Sequence, residues 1–306
     1  MNRLFIYLFA LAGLVLWMGC EEEPPSINLN PTRVNYETTY VASSVAPNQP
    51  REVMIEYISG VRCPNCPDAS LIIKNLKNNY PNRVNSVTIH PNTPSLSLFT
   101  RPINKDGFVS KYDFRTDVGR DIVGKLGIPG SLPSGYINRK LYPGRVNRFV
   151  ERTEWTAITL QEMDSIPVVN IEVSGNTSGE EINADVTLTF TNNVWGDYFL
   201  SVMLVEDSIQ DVQEIQLNPT TITFDSLYKH SFVLRDMFTA NTGEKINGST
   251  IGGTMVYNIE RGRVIRKRYS KPLNPAWKRN QLYAIVLVHR GSDEVIVHSK
   301  KARLQW

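Results

Sequence analysis

Cysteine is scarce in this chain of 306 residues, which has only Cys20, Cys63 and Cys66. So few thiols cannot build a disulfide framework or a four-thiolate zinc site. No second C-x-x-C or closely spaced histidine pair supplies further ligands, His90, His230, His289 and His298 being the only histidines. Pro67 follows Cys66 where covalent haem attachment requires histidine, so that chemistry is excluded. An excess of charge is lacking too. Lys plus Arg number 33 against 30 Asp plus Glu, and the net +3 is too small to argue for a nucleic-acid partner. No long apolar run recurs after residue 19, so no spanning segment is expected beyond it, and no internal repeat is visible. No resident cofactor is expected.

What is present begins with a leader. Asn2-Arg3 supply one positive charge, and Leu4 to Gly19 then carry none. That length suits a signal h-region with its cleavage site and is slightly short for a spanning helix. The stretch ends Leu16-Trp17-Met18-Gly19-Cys20, which resembles the bacterial lipobox: residues 1–19 would be cut away and lipid attached to Cys20, the expected contact with a membrane. Trp17 departs from the pattern, where Leu is usual. An uncleaved anchor and ordinary secretion are the alternatives. Glu21-Glu22-Glu23-Pro24-Pro25 opens a polar tether over residues 20–50, too acidic and proline-rich to fold alone. An acidic run at this place also resembles the surface-export tether of Bacteroidota lipoproteins. The expected location is the outer membrane of a Gram-negative bacterium, at its periplasmic face or at the cell surface, where disulfides persist.

Residues 51–165 read as one α/β module. Val53 to Ile58 is a continuous apolar-biased run, as in a buried parallel strand. Cys63 to Asn79 has Ala69, Ile72, Ile73 and Leu76 at helical spacing, and Val84 to Ile89 forms a second strand ending at His90. A second helix is expected over 116–126, a short strand over 135–139 and a closing helix over 146–163. After Pro167 the pattern changes to short β-branched and aromatic runs punctuated by Gly, Asn and Asp, so 167–306 reads as an antiparallel, Ig-like β-sandwich. The basic stretch from Arg261 to Lys271 reads as a solvated hairpin, with anionic sugar or lipid headgroups as a further contact. His230, His289 and His298 read as strand or surface residues.

The chemistry concentrates at Cys63-Pro64-Asn65-Cys66. A thiolate is favoured at a helix N-terminus, where unpaired N–H groups and the helix dipole stabilise the anion, and Arg62 adds a positive charge. Cys63 is therefore expected to be the more exposed and more acidic thiol, with Cys66 close enough to resolve a mixed disulfide. Pro64 suits the first helical position. His90 ends the neighbouring strand and is a candidate to hold the thiolate or relay a proton. A metal held by Cys63, Cys66 and His90, and an inert structural disulfide, are the competing readings. Leu132-Pro133 precedes the short strand where a thioredoxin-like fold carries a cis-proline, with Pro129 as competitor.

These motifs carry a wider resemblance. Val53 to Tyr57, Arg62-Cys63-Pro64-Asn65-Cys66-Pro67, Ile89-His90 and Leu132-Pro133 to Asn138-Arg139 resemble the 28-kDa-type outer-membrane-protein-related lipoprotein family of Bacteroidota. So do Val205-Glu206-Asp207 with Gln213, and Tyr228-Lys229-His230 with Leu234-Arg235. The resemblance implies a thioredoxin-like first half. Arg62 stands where such proteins usually carry Trp, and Tyr57 where many thioredoxins bury a proton-relaying acid; Glu56 points to the opposite strand face. Two functions follow. One is thiol–disulfide exchange with envelope protein thiols, in which Cys63 attacks, Cys66 resolves and Pro133 positions a peptide. The other is a non-catalytic surface-exposed binding or adhesion lipoprotein with a structural disulfide.

Overall fold

The computed structural model describes residues 33–306; the leader, Cys20 and the acidic run after it lie outside the described residues. In chain order the longer strands are β1 (Arg33–Val41), β2 (Val53–Ile58), β3 (Val84–Ile89), β4 (Ser134–Ile137), β5 (Val169–Ser178), β6 (Glu181–Phe190), β7 (Tyr198–Glu206), β8 (Gln213–Asn218), β9 (Thr221–Asp225), β10 (Val233–Met237), β11 (Arg263–Pro272), β12 (Leu282–Arg290) and β13 (Ile296–Arg303). Three helices matter here: α1 (Cys66–Asn79), α2 (Asp117–Leu126) and α3 (Trp155–Met163).

The strands form two main sheets. One is four-stranded and antiparallel in the order β1-β11-β6-β5. The other is eight-stranded and mixed, running β13-β12-β7-β10-β3-β2-β4, with the short strand Glu244–Lys245 on β7. Within it β2 lies parallel to β3, and β3 meets β10 in parallel through Val233 and Thr88. β2–α1–β3 is thus a crossover unit, while β4 returns antiparallel to β2 with Ser134 opposite Ile58.

The expected division at 165–167 separates chain segments but not sheets. Strands from both sides of it hydrogen-bond into the mixed sheet. The reason lies in β7 and β12, whose residues are apolar at consecutive positions. Leu200, Val202, Leu204, Ala284, Val286 and Val288 face Ile171, Leu188, Ile265 and Tyr269 of the four-stranded sheet. Met203, Val205, Ile285 and Leu287 face the other way, into a core with Ile55, Ile58, Ile73, Ile122 and Trp155. Because successive side chains point to opposite faces, a strand covered on both sides must be apolar throughout. The result is a face-to-face pair of sheets, compatible with a β-sandwich. α1 and α3 pack on the Tyr57 and Thr88 face of the mixed sheet, and α2 on the opposite face, against Ile89 and Tyr136.

Other expectations are corrected. The stretch expected to be tether through residue 50 contains β1, whose β-branched and aromatic residues pair with β11. α3 starts at Trp155 rather than 146, because Val150 bridges Gly135 and extends the sheet edge before the helix can begin. The basic stretch is β11, an interior strand. Buried Lys267 pairs with Glu37 and Glu244, buried Lys271 with Asp236, and Arg268 with Asp185. His230, His289 and His298 lie in strands but are buried, not on the surface. α2 begins as expected: the Thr116 hydroxyl caps it by accepting from the Gly119 N–H at 3.0 Å.

Candidate functional site

The sequence folds tightly between β2 and α1. A Cβ at Gly60 would lie 2.2 Å from the Phe99 carbonyl oxygen, so only glycine lets the chain pass. The Arg62 N–H then donates to that same oxygen at 2.9 Å, the Cys63 N–H to Gly60 O at 3.0 Å and the Cys66 N–H to Cys63 O at 3.0 Å. The helix therefore starts at Cys66, with Cys63 in the turns before it, and not at Cys63 as expected. Cys63 and Cys66 are joined as a disulfide with their Cα atoms 5.3 Å apart.

Neither cysteine is the more exposed one. Both are 1 % accessible, because the β8–β9 hairpin lies across the turn. From β8 the Glu214 N–H donates to Val61 O at 2.8 Å and the Gln216 N–H to Pro64 O at 3.0 Å. The buried Gln213 amide donates to Gly60 O at 3.2 Å, Cys63 O at 3.1 Å and Glu214 O at 2.9 Å. On the far side of the hairpin, Phe224 of β9 stacks on Phe108 with centroids 4.8 Å apart. The cover is thus held by main-chain bonds, one buried amide and an aromatic contact.

The remaining candidates divide. Tyr57 is buried beside the pair. Its hydroxyl donates to Cys66 O at 2.7 Å, accepts from Ser59 Oγ at 3.0 Å, and its ring meets Trp155 edge-on at 5.6 Å. Burial, with Tyr228 nearby, holds the phenol above its ordinary range, so it is a fixed donor and not a proton relay. Arg62 is drawn to the Arg101 carbonyl at 3.2 Å and to Pro102 O at 2.9 Å, which ties its guanidinium to main-chain oxygens. The Leu132–Pro133 bond is cis, and Pro133 directly precedes Ser134, the partner of Ile58 at the end of β2. Glu56 turns to the opposite face, as expected, and is bidentate to Arg139 at 2.7 and 2.6 Å.

His90 belongs to a different group. Its ring lies 5.4 Å from Phe114 and 6.2 Å from His230, and neither ring nitrogen has a hydrogen-bond partner. Burial first, then His230 and Arg235, push it well below the ordinary imidazole range. No hydrogen bond or ring contact joins it to Cys63, Cys66 or Tyr57 among the described residues. With the thiols consumed in the disulfide, the reading of a metal on Cys63, Cys66 and His90 loses its ligands. Among the described residues no three of His, Cys, Asp and Glu are grouped to hold a metal.

Gln213, Glu214 and Gln216 are the site residues that sequence reasoning missed. The signal is the polar–apolar alternation Glu214-Ile215-Gln216-Leu217 before Asn218-Pro219, a strand-and-turn pattern in a polar stretch.

The fold has known counterparts. HBP35 of Porphyromonas gingivalis aligns over 83% of this chain and 75% of its own with a TM-score of 0.58 at 14% identity, a likeness of fold. A domain of the outer membrane lipoprotein Omp28 from Porphyromonas gingivalis aligns over 46% of this chain and 91% of its own, with a TM-score of 0.29 at 12% identity. Nothing among the curated proteins matches the sequence significantly. The family described as Outer membrane protein Omp28 matches residues 127–305, a span that includes Pro133 and the covering hairpin but begins after Cys66, and it supports an outer-membrane location. Because that span is more than half of the sequence, the chain belongs to the Omp28 outer membrane protein family.

Proposed function

We propose that the protein is an outer-membrane lipoprotein, held by lipid on Cys20, with a thioredoxin-like first half whose Cys63–Cys66 bond is structural, and that it works by binding at the envelope rather than by redox turnover. The observation that carries this reading is the burial of both sulfurs beneath β8, since an attacking thiolate must reach its substrate. The disulfide closes the turn on which Gln213 and Glu214 dock, and the hydrogen bonds of that docking join the hairpin to the first half. Its ligands would be surface partners met by the β-rich remainder.

Turnover tests this. The purified full-length protein should reduce or oxidise a dithiol protein substrate no faster than background, and steady turnover abolished by Cys63→Ser would contradict the reading. Anchoring is tested separately: Cys20→Ser should move the protein out of the membrane fraction, and unchanged tight association would exclude the lipid anchor.

One observation favours exchange as a second reading. β8 meets Val61 and Pro64 through main-chain bonds that any extended peptide could make in its place. If the hairpin swings away, a thiolate of an envelope protein can attack the Cys63 sulfur, breaking the Cys63–Cys66 bond to give a mixed disulfide and a Cys66 thiolate. A second thiolate of that protein then displaces Cys63, leaving that protein oxidised and the pair reduced, with Pro133 positioning the peptide. Gln213→Ala would then gain turnover that the parent protein lacks.

A further inference from the structure

A cleft of about 230 Å³ opens beside the C-terminal end of α1, lined by Lys77, Lys300, Lys301, Asn82, Asn85 and Glu52. Its charges do not balance. Glu52 is committed to Lys300 and to the Asn85 amide, the latter at 2.9 Å. Asp207, the other acid that acts on this pair of lysines, accepts from the Phe232 N–H at 3.1 Å and from Ser208 Oγ at 3.1 Å. Lys77 and Lys301 have no carboxylate within ion-pair distance among the described residues. Both ammoniums instead lie against one ring, 3.6 and 4.6 Å from the Phe232 centroid. Cation–π contact offsets only part of the lost hydration of an ammonium.

We propose that this cleft binds a small dianionic oxyanion of phosphate type, held between the Lys77 and Lys301 ammoniums. Two lysine amines without carboxylate partners call for a ligand with two negative charges, which would hold both in the protonated form, and a phosphate group offers several acceptor oxygens to two point-like donors. The cleft has room for a free ion or a single headgroup phosphate. The cost of the empty arrangement shows in Lys77, which burial and then Lys301 push down to about 7. An anion in the cleft would draw that amine back to its protonated form, so binding above neutral pH would take up a proton.

Calorimetry on the purified full-length protein with inorganic phosphate, against chloride at equal ionic strength, tests the site. Saturable binding is expected, with proton uptake at about pH 8 revealed by buffers of different ionisation enthalpy. Lys77→Met should weaken binding at least tenfold and abolish the proton uptake, Lys301→Met should weaken it similarly, and Lys77→Arg should retain it. Vesicles containing an anionic phospholipid compete with phosphate if a headgroup is the natural source and leave it undisturbed if the ion is free. No saturable phosphate binding, or equal binding by the Lys77→Met and Lys301→Met variants, would overturn the proposal. The thermal midpoint of each variant without phosphate shows that it is folded, and a misfolded Lys77→Met leaves the decision to Lys301→Met and Lys77→Arg.

Discussion

Taking the folded protein from pH 7 to about pH 5 is expected to remove roughly 4 kcal/mol of stability through two histidines alone. Burial pushes His230 and His298 down to about 3 from an ordinary value near 6.5. The hydrogen bonds at His298 agree. Its Nδ1 accepts from the Glu52 N–H at 3.4 Å and its Nε2 lies 3.2 Å from Gln49 Oε1, a pattern only the neutral ring can satisfy. The folded values are lowered bases, so between about pH 6.5 and pH 3 the unfolded chain binds more protons than the fold. Stability is therefore complete above about pH 6.5 and falls as the pH drops, by about 2 kcal/mol per histidine at pH 5. His90 and His289, also lowered by burial, act in the same direction. Urea unfolding at pH 7.5, 6 and 5 measures this. A midpoint that stays level or rises over that range would show that these rings are solvated or protonated in the fold.

Glu56→Ala is expected to destabilise the protein by about 3–5 kcal/mol. The carboxylate is fully buried, and the Arg139 guanidinium that it holds bidentately is 4 % exposed. Glu294, at 4.0 Å, is too far to replace it as a hydrogen-bond partner. Removing the acid leaves a desolvated cation on the face of β2 opposite Tyr57. Denaturant titration measures the loss. The double variant Glu56→Leu with Arg139→Met should recover most of it, because the penalty comes from the unpaired charge and not from the absence of an ion pair. A single-variant loss below about 1 kcal/mol would mean that water reaches this pair.

The parts of the molecule legible in the sequence are those whose cause is local. The unbroken apolar run at Val53–Ile58, the helical spacing after Cys66 and the strand ending at His90 fix the β2–α1–β3 unit, and Pro133 stands at the head of β4. What was not legible depends on partners far along the chain. Lys267 and Lys271 look like solvated charges until β1 brings Glu37, and other segments Glu244 and Asp236, to meet them, whereas Arg266 and Arg268 are exposed as expected. The exposure expected of Cys63 fails for the same reason. The amide that bonds its carbonyl comes from Gln213, 150 residues away. The continuous apolar character of β7 and β12 was a readable sign that the mixed sheet has two covered faces, and hence that 165–167 is no sheet boundary.

The closing of the disulfide by the hairpin is the centre of the account, and the rate at which a mild dithiol reduces Cys63–Cys66 in the folded full-length protein tests it most directly. Alkylation and mass measurement after timed exposure give the rate for the parent protein, for Gln213→Ala and for the urea-unfolded chain. Loss of the buried amide removes the two side-chain hydrogen bonds from the cover to the Gly60 and Cys63 carbonyls, so Gln213→Ala should be reduced at least about tenfold faster than the parent, which should itself react far more slowly than the unfolded chain. Reduction of the folded parent at the rate of the unfolded chain, unchanged by Gln213→Ala, would contradict the account.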